Sequence, residues 1–182
     1  MHTNGHRPKS LEVDLLTDAY RISGRVEPGR AGLLPELNGP NSDFIALEGV
    51  YVSRLQRPGE IIANYTQAFF RKDNVGFLVL QDRRALAAAT LGTSRPAAGQ
   101  AQPVFLTVPS FEISGHLVQE GRFATENLLV MTPGRFQPVF DARAVAANFP
   151  ELVFTGDLIL VNKDRIAMFC LTSVRDKMNR YG

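Results

Sequence analysis

A seven-residue phrase occurs twice in this chain, and it constrains the fold more than any other feature of the sequence. YRISGRV occupies residues 20–26, and FEISGHL occupies residues 111–117, 91 positions later. Extending the comparison without gaps to residues 13–26 and 104–117 gives five identical pairs among 14. Self-similarity at a fixed spacing is typical of chains built from repeated structural units. The sequence therefore predicts a tandem duplication.

Further matches follow in the same order in both halves. FLVLQDRR (residues 77–84) aligns with LILVNKDR (residues 158–165), now 81 positions apart. Between these anchors, DFIAL (residues 43–47) corresponds to NLLVM (residues 127–131). We attribute the shorter spacing to a Gly- and Pro-rich loop, EPGRAGLLPELNGPNS, which only the first half carries.

Both copies of the phrase alternate between polar residues and residues that are apolar or glycine. This period of two is that of a β-strand with one buried face. Gly24 and Gly115 fall on the apolar face, where a side chain is normally needed. A glycine there is typical of a strand that bends sharply, as at the corner of a small barrel. We therefore predict a bent strand with a structural glycine in each half.

The predicted fold is mostly β, a tandem duplication of a small five-stranded barrel with at most one short helix per half. The helix is predicted at residues 141–148, with Asp141 as N-cap and Pro150 as the stop. The run RALAAATL (residues 84–91) has helical propensity. Its aligned partner, IAMFCLTS, is typical of a strand, so we predict a strand for the alanine run as well.

The domain boundaries follow from composition. Residues 93–103, TSRPAAGQAQP, are poor in large apolar residues and rich in Pro, Gly, Ala and Gln, which predicts a linker. The predicted organisation is a disordered leader (1–10), a first barrel repeat (11–92), the linker (93–103), a second barrel repeat (104–174) and a basic C-terminal tail (175–182).

The order of these segments resembles the Sm/Lsm-like small barrel, one of the SH3-like barrels. In the second half the resemblance is carried by ISGHL (residues 113–117), NLLV (residues 127–130) and LILVNKDRIA (residues 158–167). It implies a five-stranded barrel in each half, assembly of barrels into rings, and loops that bind RNA. The Arg-Gly pair that the family carries before its last strand is replaced here by Val161 and Asn162.

Basic and amide residues near the predicted turns are candidates for an anion-binding or RNA-binding surface. Two basic pairs are predicted at equivalent hairpin tips, where a duplicated barrel would present one bipartite surface. Two asparagines join them because they fall at or near loop positions of the family that the chain resembles. The full set is Arg83, Arg84, Asn127, Asn162, Lys163 and Arg165. Nearby acidic residues favour ordinary solvated turns as the alternative.

The sequence carries no recognisable catalytic or cofactor motif: it has no P-loop, GxSxG or HExxH. His116 is predicted to lie on the outward face of its strand, where neighbouring side chains run parallel instead of converging as a catalytic relay requires. Cys170, the one cysteine, excludes an intrachain disulfide, and the apolar run around it predicts a small buried residue. We therefore predict no catalytic residue, no metal and no cofactor.

Bulk properties narrow the partners. The formal net charge of +2 is too small to argue for a nucleic-acid or membrane partner by electrostatics alone. No window approaches the ~20 apolar residues of a membrane span. The N-terminus also lacks the apolar segment of a secretory signal. We expect a cytoplasmic protein that does not bind membranes.

Three functions remain open at this point. The first is a non-catalytic interaction or assembly module, whose unpaired barrel edges bind copies of itself or a partner protein. The second is an RNA-binding protein, in which three chains would supply six barrels to a closed ring. The third is a ligand-binding barrel or small enzyme with a pocket between the halves. The absence of motifs places assembly first, with self-association as its expected form.

Overall fold

Ten antiparallel β-strands form one continuous sheet in this protein. The computed structural model describes residues 10–80, 101–118 and 134–171. The first half contains β1 (Leu11–Leu16), β2 (Tyr20–Val26), α1 (Leu33–Asn38), β3 (Phe44–Arg54), β4 (Arg57–Arg71), a first 3₁₀ turn (Lys72–Asn74) and β5 (Phe77–Leu80). The second half contains β6 (Ala101–Val108), β7 (Phe111–Val118), β8 (Phe136–Ala146), β9 (Phe149–Asn162), a second 3₁₀ turn (Lys163–Arg165) and β10 (Met168–Leu171).

Each half contributes five adjacent strands in the same relative order. Across the sheet the order is β10-β6-β7-β8-β9-β5-β1-β2-β3-β4. In each half the last strand returns to pair with the first, and the two halves join where β5 pairs with β9. The expectation of a mostly β protein is confirmed. Among the described strands the sheet is open, with β10 and β4 at its edges, and the closed barrels expected for the two halves are not observed.

The halves repeat individual backbone hydrogen bonds as well as strand order. The backbone N of Gly76 donates to the carbonyl of Leu16 at 2.9 Å. The backbone N of Ala167, 91 positions later, donates to the carbonyl of Thr107 at 2.9 Å, and Thr107 is 91 positions after Leu16. The spacing of 91 that relates the two phrases therefore also holds near the end of each half.

The spacing is 92 between β3 and β8, but it is 91 between β5 and β10 and between the ends of β4 and β9, and this corrects one part of the predicted alignment. FLVL is strand β5, which pairs with β1 as β10 pairs with β6, so its counterpart is MFCL in β10. LILV (residues 158–161) lies near the end of β9, and its counterpart is QAFF (residues 67–70) in β4. FLVL and LILV look alike for a different reason. They pair with each other, and strands buried on both faces are continuous apolar runs.

Two hydrophobic clusters share the strands at which the halves join. Alternate side chains of β5 enter different clusters: Leu78 and Leu80 belong to the first, and Phe77 and Val79 belong to the second. The first cluster is otherwise built mainly from β1, β2, α1 and β3, and the second mainly from β6, β7 and β8. Each half therefore depends on the other to complete its core.

The helix predicted at residues 141–148 is wrong. Strand β8 runs through Ala146, and a turn then leads into β9. Ala142, Ala144 and Ala146 are buried in the second cluster, while the residues between them are more exposed. Packing with a period of two thus overrides the helical propensity of alanine. The short helix of the described chain is α1, inside the Gly- and Pro-rich loop between β2 and β3.

Several predicted segments fall wholly or partly outside the described residues. The alanine run at residues 84–91 and the C-terminal tail at 175–182 lie outside them, as does nearly all of the leader at 1–10. Strand β6 begins at Ala101, so the last three residues of the segment predicted as linker, 93–103, form part of a strand. The remaining domain boundaries stay a prediction.

Gly24 and Gly115 lie at irregularities of the sheet. The register shifts across Gly24 in the β2–β3 pairing and across Gly115 in the β7–β8 pairing. A Cβ on Gly115 would lie 2.6 Å from Cγ1 of Val139 and 2.9 Å from the carbonyl oxygen of Phe140. On Gly24 the closest atom would be the carbonyl oxygen of Glu48, at 3.2 Å. The close approach of β8 therefore excludes a side chain at position 115 more strictly than the approach of β3 excludes one at position 24.

Replacing Gly115 tests this close approach. We expect Gly115→Ala to lower the free energy of unfolding by about 1–3 kcal/mol, because the new methyl group overlaps β8. Gly24→Ala should cause a smaller loss. Gly59→Ala, where a Cβ would meet no atom within 4 Å, is the control. Urea denaturation measures all three variants, and equal effects at positions 115 and 59 would contradict the interpretation.

Candidate assembly interface

Strands β5 and β9 join the two halves through four residue pairs. The pairing is antiparallel and runs from Phe77 opposite Val161 to Leu80 opposite Leu158. All eight residues are buried, with relative exposures of 3% or less. Strand β9, like β5, sends alternate side chains into both clusters. This junction is therefore an internal interface between two similar five-stranded units.

Asn162 ends β9 and fastens it to the first 3₁₀ turn. Its side chain is fully buried, and Nδ2 donates to the carbonyls of Lys72 and Val75, both at 2.9 Å. Oδ1 accepts from the backbone N of Asp164 at 3.0 Å. Both the donor and the acceptor of the amide are thus satisfied, as a buried polar group requires. Asn162 fixes where β9 ends relative to the other half.

Arg135 connects the two 3₁₀ turns from the surface. Its Nη1 lies 2.6 Å from Oδ1 of Asp73 in the first turn, and its Nε lies 3.1 Å from Oδ2 of Asp164 in the second. Arg71 also contacts Asp73, at 2.8 Å. The hydrogen bond from Arg71, and further the charge of Arg135, hold the pKa of the Asp73 carboxyl below its usual value. These pairs are partly exposed, so each contributes little stability.

Helix α1 adds a contact from the first half to β8. Asn38 Oδ1 accepts from the backbone N of Phe136 at 2.6 Å, and its Nδ2 donates to the carbonyl of Phe136 at 3.0 Å. Lys72 supports the same region, with Nζ 3.4 Å from the carbonyls of Glu36 and Gly39. Burial lowers the pKa of the Lys72 ammonium. The end of α1 is therefore held on both sides by polar groups.

A further polar contact between the halves involves Asp18, in the turn between β1 and β2. Arg165 Nη2 lies 2.6 and 2.7 Å from the two carboxylate oxygens of Asp18. The hydroxyl of Ser110 donates to the backbone carbonyl of Asp18 at 3.1 Å. The second 3₁₀ turn is thus tied to the first half by a charged pair.

The structure describes three of the six residues predicted to bind an anion or RNA. Asn162, Lys163 and Arg165 adjoin each other at the second 3₁₀ turn. The Asn162 side chain is buried in the junction, Arg165 contacts Asp18, and Lys163 is half-buried. The other three, Arg83, Arg84 and Asn127, lie outside the described residues. By the 91-residue spacing the counterpart of Lys163 is Lys72, and not Arg83 or Arg84.

Two other residues singled out in the sequence are described. His116 lies in β7 opposite Phe140, and it is half-buried. Cys170 lies in β10 and is only partly buried. The sequence predicted a small buried residue, and this is wrong because β10 has a neighbour on one side only among the described strands.

The two free edges expose apolar side chains at positions that the internal junction buries. Phe69 in β4 is 62% exposed, whereas its counterpart in β9, Leu160, is 0% exposed. Met168 in β10 is 46% exposed, whereas its counterpart in β5, Phe77, is 0% exposed. QAFF of β4 and MFCL of β10 thus carry large apolar side chains, as interior strands do, but among the described residues each has a neighbouring strand on one side only.

A second repeated motif in the sequence, the Lys-Asp pair after β4 and β9, indicates which strands of the two halves correspond. Lys72 and Asp73 recur as Lys163 and Asp164 at the same spacing of 91 that relates the two phrases. Keeping that spacing constant places QAFF of β4 in correspondence with LILV of β9. The stronger apolar likeness of FLVL to LILV concealed this relation.

No protein-family model, curated protein or solved structure matches this chain. Within residues 10–80, 101–118 and 134–171, no helix is long and apolar enough to cross a membrane. In those same segments no group of three or more His, Cys, Asp or Glu residues is placed to hold a metal ion.

Removing the buried amide tests the role of Asn162 in the junction. We expect Asn162→Ala to lower the free energy of unfolding by about 2–4 kcal/mol, because it removes the buried hydrogen bonds to the carbonyls of Lys72 and Val75 and the acceptor for the backbone N of Asp164. Asn148→Ala, in the exposed turn before β9, is the control and should change stability by less than about 0.5 kcal/mol. A similar effect for both variants would argue against this role.

Proposed function

We propose that this protein is a non-catalytic, self-associating assembly module, in which the free edge β4 of one copy pairs with the free edge β10 of the next. The observation that carries the proposal is the pairing of β5 with β9 inside the chain. It joins the fifth strand of one five-stranded unit to the fourth strand of the other. The two free edges, β10 and β4, are again a fifth strand and a fourth strand.

The length and composition of β4 support a partner strand. An unpaired edge presents backbone N–H and C=O groups that readily pair with another chain, so proteins usually shorten, bend or cover such edges. Strand β4 is 15 residues long. It carries four large hydrophobic side chains that are 42–62% exposed, namely Ile61, Ile62, Tyr65 and Phe69. A second copy would cover part of this surface.

The contact that we propose is head-to-tail, because β4 and β10 are different surfaces. Such contacts give rings when the rotation closes and filaments when it does not. A ring of three chains, with six five-stranded units, is the closed form that the Sm-like resemblance implies. We also propose that the two units arose by duplication, which is supported by their shared strand order and by a spacing of 91 or 92 positions between corresponding strand residues.

The alternative functions have less support. RNA binding through the second 3₁₀ turn loses two of its candidate contacts, because Asn162 is buried and Arg165 contacts Asp18. A cleft of about 620 Å³ lies beside α1 and is lined wholly by first-half residues. Two other clefts among the described residues are lined by both halves: one has a volume of only about 120 Å³, and the other, of about 480 Å³, takes Leu80 alone from the first half. Neither has the form of a ligand pocket shared by two halves, which a ligand-binding or enzymatic role was expected to use. Our proposal retains the expected cytoplasmic location, where Cys170 would stay a thiol.

The mass in solution tests self-association directly. We expect light scattering to give a multiple of the 20.1 kDa chain mass, unchanged by treatment with nuclease. A monomer at all accessible concentrations would overturn the proposal. A mass that falls after nuclease treatment would favour assembly on RNA instead.

A charge on the free edge β4 tests which surface associates. We expect Phe69→Lys to shift the protein towards monomer, since a lysine there would have to be buried in the contact. The fold of the single chain should be unaffected, because Phe69 is 62% exposed. Tyr51→Lys changes an aromatic residue of similar exposure, 50%, on the interior strand β3, and is the matched control. If both variants assemble like the unmodified chain, β4 is not the associating edge.

A further inference from the structure

We infer the register of the contact between copies: Ala68 of one copy lies opposite Cys170 of the next. This inference rests on the proposed function, because it requires self-association through β4 and β10. It adds which residues of the two copies lie opposite each other, and which hydrophobic cluster each side chain enters.

The register follows from the pairing inside the chain. Val79 of β5 lies opposite Ile159 of β9. Cys170 is 91 positions after Val79, and Ala68 is 91 positions before Ile159. Applying the same step to the other three pairs of the junction gives Phe70 opposite Met168, Phe69 opposite Phe169, and Gln67 opposite Leu171.

The contacts at the ends of β4 and β9 support the correspondence on which the register depends. Arg71 at the end of β4 lies opposite Phe44, and Asn162 at the end of β9 lies opposite Phe136, so the offset is 91 positions in β4 and β9 and 92 in their neighbours β3 and β8. The backbone N of Lys72, just after β4, donates to the carbonyl of Asp43 at 2.8 Å. The backbone N of Lys163, just after β9, donates to the carbonyl of Arg135 at 2.8 Å. The ends of β4 and β9 are therefore anchored to their own halves in the same way.

The side-chain directions on the two edges fit this pairing. Ala68 and Phe70 pack against the first cluster, and Phe169 packs against the second. Because side chains alternate along a strand, Phe69 points away from the core of its own half. In the inferred register Phe69 enters the second cluster of the next copy, beside Phe169. Met168 and Cys170 enter the first cluster in exchange.

The same exchange is already made within the chain. Leu160 belongs to the second half but packs in the first cluster, and Phe77 belongs to the first half but packs in the second. Their counterparts at the free edges are Phe69 and Met168, two of the exposed large hydrophobic side chains of the described chain. The inferred contact therefore buries the apolar surface that each edge leaves open.

Arg71 has a defined place in this contact. It is the counterpart of Asn162, whose amide donates to the carbonyls of Lys72, in the first 3₁₀ turn, and Val75, just after it. In the next copy the equivalent carbonyls belong to Lys163, in the second 3₁₀ turn, and Ile166, just after it. A guanidinium carries donors only, which suits a turn that presents carbonyl acceptors.

A cysteine at position 68 tests the register, because Cys170 is the only cysteine of the natural chain. Residues directly opposite each other in antiparallel strands have Cα atoms about 4.5–5.5 Å apart, which a disulfide spans. We expect Ala68→Cys to form covalent oligomers under mild oxidation, seen on non-reducing gels. The largest covalent species counts the copies in a closed ring, and is a trimer if three chains close it.

The controls separate this register from random oxidation. Ala63→Cys places a cysteine on the same strand at a half-buried alanine, and should cross-link at least about 10-fold more slowly. The double variant Ala68→Cys/Cys170→Ser should give no covalent oligomer. Gln67→Cys/Leu171→Cys in a Cys170→Ser background tests a second pair of the same register, should the first variant fold poorly.

Each outcome identifies which inference fails. If the unmodified chain has the mass of an oligomer but neither cysteine pair cross-links, the register is wrong and the proposed self-association stands. If the unmodified chain is monomeric, both are wrong. A covalent dimer of the unmodified chain through Cys170 would indicate that β10 pairs with β10, and would also overturn the register.

Discussion

The rest of the structure depends on the pairing of β5 with β9. Both strands are buried on both faces, so their alternate side chains fill two hydrophobic clusters at once. Without this pairing the first cluster would lose Leu158 and Leu160, and the second would lose Phe77 and Val79. Burial of such apolar side chains is the dominant favourable term in folding. The junction is therefore part of the core of each half, and not a docking contact between two finished domains.

Polar contacts at the end of β9 fix the register of this apolar strand pair. An apolar strand pair can slip, because many registers bury similar surface, whereas a buried amide is satisfied only when its partners are in place. Asn162 supplies that condition, since its amide must reach the carbonyls of Lys72 and Val75. The ion pairs of Arg135 with Asp73 and Asp164 lie in the same region. They are partly exposed, so they contribute less stability than the buried amide.

The strand content and the strands at both copies of the repeated phrase could be predicted from the sequence, because period-two alternation is a local signal. The helix expected at residues 141–148 failed because the burial of Ala142 and Ala144 depends on strands distant in sequence. The open sheet and the burial of Asn162 could not be inferred for the same reason. FLVL was aligned with its pairing partner, and not with its structural counterpart, because burial on both faces makes any two such strands look alike.

The sharing of β5 between two clusters has a consequence for the order in which this chain folds. Strand β5 ends at Leu80, but β9 begins only at Phe149, so the first half leaves the ribosome well before its missing neighbour is made. Until then it exposes an apolar strand on one side, and contacts so distant in sequence form slowly. In that interval the β9 of a completed copy can pair with the exposed β5 of the new chain, in place of the new chain's own β9. Exchange of halves between nascent and finished copies is thus a built-in hazard of synthesis at high local concentration.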